Sequence, residues 1–383
     1  MRKNRKEGVC YFGTYRDYYC RNKINIRLLK KAGVKVYTCH IPFMAKKHGT
    51  EKPFRILGII QNFIKLLFIY VILSIKYLFF TPAHELVFVG YIGHQDVFLA
   101  KILTFLTGRR LVFDLFVSLY DTLVLDRGLV SLDSPVAKMI YLADKISITL
   151  ADTVLIDTEE HRDYLKKTFN IKNRKIEVVP LGIEEEIFSY KLCKKQTQKK
   201  FFTLVQYSYF APLHGTEYVI SAAKLLNDYP DIKFHLIGDG QLKKRVMQMI
   251  KENGLKNIRI SGIVTPQILA QYIMEADICL GIFGKSEKVS RVIPNKVLHG
   301  LAMKRCVITS FSSALERYYQ HGKHLFLCQR ADPESLKDAI LTLKQKSDLR
   351  SSLVENGYSR FLHCHNEAVV SRRLYNSLNL YLK

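Results

Sequence analysis

Three loops in the second half of the chain carry the residue types that hold a phosphate group. "YSYFAPLHGTEY", Tyr207 to Tyr218, contains Ser208, Tyr209, His214 and Gly215. "IGDGQL" contains Gly238 and Gly240, and "GIFGKSEKVSRVIPNK" contains Gly284 with Lys285, Lys288, Arg291 and Lys296. Glycines let a backbone come close to a ligand, and helix N-termini present free N–H groups to an anion. The third loop runs into "PNKVLHGLAM", where Pro294 suits a helix start. Asn295 and Lys296 then stand at the mouth of that helix and His299 lies one turn inside. A single glycine pair is usually just a tight turn, but three such loops, each leaving an apolar run, point to a diphosphate site.

Those loops need a scaffold that delivers them to one place. The chain alternates apolar runs with helical patterns, the signature of an α/β fold with parallel sheets. The first series of expected strands is "GVCYFG", "KVYTCHI", "ELVFVGY", "RRLVFDL", "DTVLID" and "KIEVVPLG". The second is "FFTLVQYS", "IKFHLIGDG", "IRISGIV", "ICLGIF" and "CVITS". Helical patterns such as "DVFLAKILTFLTG" and "PESLKDAILTLKQ" fill the gaps. The lysine-rich stretch 193–200, "CKKQTQKK", has no apolar period and reads as a linker. The expectation is therefore two doubly wound, Rossmann-like domains, 1–192 and 201–358, with a helical tail over 359–383 that packs back on the first domain. At 383 residues each domain can bury its own core. Such a pair binds a ligand in the cleft between them, at the C-terminal ends of the strands.

The net charge of +25 points to an anionic partner, nucleic acid, an acidic membrane surface or a phosphorylated substrate, with a lysine-rich background of solvated side chains as the other reading. No nucleic-acid motif and no clustered basic helix supports the first of these. The eight cysteines are scattered without a CxxC pair and read as small buried residues in a reducing compartment. "HCH", His363 to His365, lacks a second ligand cluster and reads as a helix-surface accident, not a metal site. The opening "MRKNRKEGV" has no apolar run, so no signal peptide is expected. Residues 55–80, "RILGIIQNFIKLLFIYVILSIKYLFF", are long enough to span a bilayer but contain Lys65 and Lys76. The two lysines fall on roughly one face, which suits a helix lying in the membrane interface with both turned to lipid phosphates. An ordinary buried helix and a true span are the alternatives.

The wording of the loops resembles a known family. "FAPLHGTEYVISAAKLL", "HLIGDGQLKKRV", "MEADICLGIFG", "VIPNKVLHGLAM" and "HLFLCQRADPESLKDAILTL" look like the nucleotide-sugar domain of family-four retaining glycosyltransferases, group 1. "IDTEEHRDYL" and "VPLGIEEEIF" look like the stretch before that family's interdomain linker, and "FGTYRDYYCRN" looks like its first strand and glycine loop. The resemblance implies the GT-B fold. It also implies transfer of a sugar from a nucleoside diphosphate sugar, with retention at the anomeric carbon and no metal or other cofactor. No Asp-x-Asp occurs in the chain to anchor a metal.

Position by position, the resemblance implies a donor site at Gly13, Ser208, Tyr209, His214, Gly238, Gly240, Gly284, Pro294, Asn295, Lys296 and His299. Tyr209 and His214 stand where the family often has an arginine and a lysine on phosphate. Arg291 and His299 replace its two glutamates, the second of which accepts hydrogen bonds from ribose. Lys296 is the expected diphosphate contact, in the subgroup with "PNK" before the helix. In the first domain Asp114 is the first catalytic candidate and Asp121 the second; a cap or structural acceptor is the other reading of Asp114. Thr14 and Tyr15 lie with Gly13 in the first loop, which in this fold approaches donor and acceptor; for His94 a place lining the cleft and a satisfied surface or cap position are the two readings. The expected partners are a nucleotide sugar, a saccharide or lipid-linked acceptor and an anionic membrane surface, with the protein on the cytoplasmic membrane face. A catalytically degenerate relative and a nucleotide-sugar epimerase are the alternatives.

Overall fold

The structure, a computed structural model, describes residues 8–43, 56–172, 175–192 and 200–382. The expected linker lies outside the described residues apart from Lys200, as does Arg55. The first domain runs β1 (Gly8–Gly13), α1 (Cys20–Lys31), β2 (Lys35–His40), α2 (Ile56–Ile75), β3 (Leu86–Val89), α3 (Asp96–Thr107), β4 (Arg110–Asp114), α4 (Pro135–Leu150), β5 (Thr153–Ile156), α5 (Glu159–Phe169) and β6 (Lys175–Val178). A π-helical segment, Lys76–Phe80, continues α2, and a second, Tyr120–Asp126, follows β4. The second domain runs β7 (Phe202–Ser208), α6 (Thr216–Leu225), β8 (Ile232–Gly238), α7 (Lys243–Glu252), β9 (Ile258–Ser261), α8 (Pro266–Glu275), β10 (Ile278–Leu280), α9 (Asn295–Ala302), β11 (Cys306–Ser310), α10 (Ser313–Glu316), β12 (Phe326–Cys328), α11 (Pro333–Gln345) and α12 (Ser347–Cys364). The last helix, α13 (Glu367–Leu382), returns to the first domain.

Each domain holds a parallel six-stranded sheet, ordered β2-β1-β3-β4-β5-β6 and β12-β11-β10-β7-β8-β9. The inner strands read as apolar runs because helices cover both faces, and β1, β3, β5 and β11 are buried from end to end, whereas the edge strands β2, β6 and β9 carry polar residues and are only partly buried. In each sheet the strand order reverses once, between β1 and β3 and between β7 and β10. Two crevices open at those reversals, and the loops that follow these four strands line them.

On one face of the first sheet α2, α3 and α4 bury Ile69, Leu73, Tyr77, Val97, Ala100, Leu103 and Ile148 in a shared core. On the other face α1 packs with α13 through Leu28, Val370, Leu374 and Leu378. Ser371 donates to the Leu28 carbonyl at 2.9 Å, and Glu367 pairs with Arg27 and Lys31.

The two domains meet through segments that follow the C-terminal ends of their strands. Phe116, Leu181, Ile183 and Phe188 of the first domain share a core with Ile293, Val297 and Leu298 of the second. His365 is not a surface residue as "HCH" suggested. It is buried with Nδ1 2.8 Å from the Tyr319 hydroxyl, because its helix end is folded against the second domain.

Candidate active site

The second crevice is built by α9 and the loop after β7. Pro294 sits at the N-cap of α9 with extended backbone and no side-chain cap, so the first amides of the helix are open to an anion. Lys296, in the first turn, is buried, and its Nζ donates to His214 Nδ1 at 2.8 Å. Burial lowers the Lys296 pKa to about 7. Burial, with Lys296, Arg127 and Lys288 as neighbouring cations, pushes His214 well below its ordinary value, which keeps it a neutral acceptor. Lys296 also stands over the Tyr207 ring at 5.7 Å. An ammonium this buried, paired only with a neutral ring, is short of a counter-anion.

The glycines do something other than admit a ligand. A β-carbon on Gly238 would stand 1.8 Å from the Ser208 carbonyl oxygen, and one on Gly240 2.1 Å from that of Tyr209. One on Gly284 would stand 2.4 Å from the Pro212 carbonyl oxygen. Gly284 N–H donates to Leu213 at 3.2 Å, and Phe283 N–H to His214 at 3.2 Å. The three loops are stacked backbone on backbone, with the His214 loop in the middle. Glycine is required so that the loops can touch each other, and the consequence is a rigid seat for His214. Ser208 serves the same turn, its Oγ accepting from Phe210 N–H at 3.0 Å. Tyr209 is 63% exposed and free to meet a ligand.

His299 corrects the expectation of an open ribose contact. Its ring stacks on Phe188 at 3.7 Å, and its Nδ1 lies 2.7 Å from the Tyr207 hydroxyl. Burial lowers its pKa to about 3, so it is a neutral aromatic shelf. The Tyr207 hydroxyl holds its Nδ1, and Phe188 comes from the "GIEEEIF" segment that joins the domains.

The carboxylates of the first domain are also engaged. Asp114 is fully buried, held by Arg21 at 2.8 and 2.9 Å and by Asn25 at 2.7 Å. It anchors α1 to the end of β4 and does not face the cleft as a free base. Asp121 is fully buried too, 2.6 Å from Arg291 Nη2 and 3.5 Å from Lys288 Nζ. It is an interdomain ion pair, and Ser286 donating to Asp126 at 2.6 Å extends it. Gly13, with φ of 121°, leaves room not for the donor but for Asp96, whose carboxylate would lie 2.4 Å from a β-carbon there. Thr14 N–H and the Tyr70 hydroxyl donate to Asp96 at 2.6 and 3.1 Å. Burial pushes Asp96 up to about 6 against these bonds. His94, in the loop after β3, is buried with Nε2 2.9 Å from Asp144, which in turn accepts from Ser118 Oγ and the Leu119 and Tyr120 N–H groups.

Sequence reasoning missed three cleft residues. Cys20 opens α1, which has no side-chain cap, and faces α9 through Asn295 Nδ2 at 3.6 Å. Arg16 and Arg127 flank Tyr91, whose pKa burial pushes up to about 12 against both cations. The only signal was position: Arg16 closely follows the first glycine loop, and Arg127 closes a segment with no ordinary helical pattern.

Two Rossmann-like domains whose switch-point loops face each other across a cationic crevice define a GT-B protein. The solved structures agree. The fold matches sucrose-phosphate synthase from Thermosynechococcus elongatus with a TM-score of 0.72 at 15% identity, covering 98% of this chain and 99% of that one. It matches HepE of Anabaena, in complex with UDP and glucose, with a TM-score of 0.67 at 13% identity over 98% and 100% of the two chains. Residues 202–346, most of the second domain, match the family model of glycosyl transferases group 1. An uncharacterized glycosyltransferase of Methanocaldococcus jannaschii, MJ1178, is 26% identical over 237 residues; the match spans 61% of this chain and 62% of that relative's length.

Proposed function

We propose that the protein is a retaining glycosyltransferase. It moves a sugar from a nucleoside diphosphate sugar to a saccharide or lipid-linked acceptor and needs no metal or other cofactor. The observation that carries this reading is the Lys296–His214 pair at the uncapped start of α9, on the switch point of the second sheet. In the reaction the bond from the anomeric carbon to the diphosphate oxygen breaks, a bond to the acceptor oxygen forms on the same face, and the acceptor hydroxyl passes its proton to the departing diphosphate oxygen. Negative charge grows on the leaving diphosphate. Lys296 and the first amides of α9 are preorganised to meet that charge, and neutral His214 orients the ammonium. HepE was solved with UDP, which makes uridine nucleotides the first donors to try.

The acceptor side fits a cytoplasmic membrane face and polysaccharide or glycolipid synthesis. Gln61–Phe80 forms one helical run long and apolar enough to cross a bilayer, and only 17% of its most apolar stretch is buried. Together with the +25 charge this supports peripheral association with an anionic leaflet and gives no reason to expect a nucleic-acid partner. A second reading, a GT-B protein that binds a nucleotide without transfer, is favoured by one observation: Asp114 and Asp121 are both consumed in buried ion pairs. Incubation with UDP-, GDP- and ADP-sugars and a membrane extract separates the two. Release of nucleoside diphosphate supports transfer; saturable nucleotide binding without release supports the second reading.

A further inference from the structure

The exposed apolar surface is concentrated on one face of the first domain. On α2 the inward stripe is Ile69 and Leu73, yet the opposite stripe of Phe63, Ile64, Leu67, Phe68, Val71 and Ile75 is also apolar and 47–66% exposed. A surface helix of a water-soluble domain is normally polar there. The neighbouring helices repeat the pattern. Outward-facing Phe98, Ile102, Phe105 and Leu106 on α3 are 42–81% exposed, and Val136, Met139, Leu142 and Ile146 on α4 are 42–68% exposed. The three helices lie side by side: Tyr70 and Tyr77 of the α2 segment bond Asp96 and Thr107 of α3, and α3 and α4 share one buried core. With Phe79 and Phe80, the six phenylalanines are 42–81% exposed. At about 200 Å² per side chain they alone present roughly 800 Å², beyond the few hundred Å² usual for a largest patch.

The described residues of these three helices expose no carboxylate. Residues 56–80 contain no carboxylate, and the only two on α3 and α4, Asp96 and Asp144, are fully buried. Lys65 and Lys76 are tied to the domain's own backbone, Lys65 while staying exposed; their Nζ atoms donate to the Phe43 and His40 carbonyls at 3.2 and 3.4 Å. The cations at the rim are instead Lys101, Lys138 and Lys145 on α3 and α4 and Arg110 at the start of β4, of which Lys101 and Arg110 lie 3.6 and 3.9 Å from Asp152. A second copy seated here would set cation against cation across a two-fold axis, whereas an anionic lipid surface is complementary to both the apolar area and the charge.

We propose that the outer faces of α2, α3 and α4 form a single platform that docks on an anionic bilayer, α2 supplying insertion and α3 and α4 the contacts to lipid phosphate. This deepens the membrane part of the functional reading and rests on it. The same platform reaches the cleft, because Tyr70 and Thr14 share the Asp96 carboxylate.

The test uses the full chain with vesicles of phosphatidylcholine, with and without phosphatidylglycerol at about one third. The double variant Phe105→Asp, Met139→Asp leaves α2 untouched. The platform predicts that the wild type sediments with the anionic vesicles and that the variant binds them roughly tenfold or more weakly, with unchanged melting temperature and UDP affinity. Should that variant fold poorly, Lys138→Glu, Lys145→Glu must abolish the preference for anionic over neutral vesicles. Equal binding of wild type and folded variants means that α2 acts alone and overturns the platform. A wild type that ignores vesicles but dimerises through this face overturns it in favour of a second copy. Release of nucleoside diphosphate from soluble donor and acceptor, scored separately, tests the transferase reading without reference to lipid.

Discussion

Replacing Lys296 by methionine separates stability from function in a way only a ligand-binding lysine allows. The unfolded lysine titrates near 10.5 and the buried one near 7. That difference costs the folded state roughly 4 kcal/mol at pH 7. Because the folded value lies below the unfolded one, the unfolded chain holds the extra proton between the two. Stability therefore rises with pH across that window, and at pH 9.5 the cost has shrunk to roughly 1.4 kcal/mol. Methionine fills similar space without the charge, and it forfeits the bond to His214, worth about 1–2 kcal/mol. Lys296→Met should then stabilise the second domain by roughly 2–3 kcal/mol at pH 7, about 5–10 °C in Tm, with the gain vanishing near pH 9.5. A hydrogen bond to a charged group contributes about 1.5–3 kcal/mol, so nucleoside diphosphate affinity should fall about tenfold or more. Differential scanning fluorimetry at the two pH values and titration calorimetry with UDP, GDP and ADP read both effects. A variant less stable than wild type at pH 7, or one that binds the nucleotide equally well, would refute the reasoning.

The remaining predictions concern residues whose structural role differs from their apparent chemistry. Asp114→Asn leaves Arg21 buried without its partner and should lower stability by about 3–5 kcal/mol, seen as a lower denaturant midpoint. A folded variant with normal stability but no turnover would return Asp114 to catalysis. His299→Glu loses the Phe188 stack and the Tyr207 bond and should cost about 2–3 kcal/mol without tightening nucleotide binding; tighter binding at unchanged Tm would place position 299 on the ribose. His299 and His365, both with pKa values lowered to about 3, stay neutral when folded while the unfolded chain protonates near 6.5. Stability should therefore fall as pH drops from 6.5 toward 3, by up to about 1.4 kcal/mol per pH unit for each histidine, and chemical denaturation at pH 7 and 5 measures it.

The strands β1 to β11 were legible because parallel strands covered on both faces are apolar, as in "VCYF" and "LVFV", whereas the three-residue edge strand β12, Phe326–Cys328, was not among the expected strands. The position of Lys296 was legible too, since Pro294 and the glycines before it announce a helix start. Its pairing with His214 was not, because 82 residues separate them and only the sheet reversal brings them together. Asp114 looked catalytic for a similar reason: its partner Arg21 lies 93 residues away, on a helix whose own pattern gives no hint of it. The glycines were found for the wrong reason. A sequence shows that a β-carbon is missing but not whether a ligand or another loop fills the space. The apolar platform was only partly visible, because α2 stands out by composition while α3 and α4 each read as ordinary amphipathic helices.

The central claim is that the Lys296 crevice discharges a nucleoside diphosphate from a sugar donor. Coupled detection of free nucleoside diphosphate, with UDP-, GDP- and ADP-sugars offered in turn to wild type and Lys296→Met in the presence of membrane extract, measures it directly. The account predicts release from one donor class by the wild type and none above background by the variant. Equal release from both proteins, or nucleotide binding with no release from any donor, would contradict it.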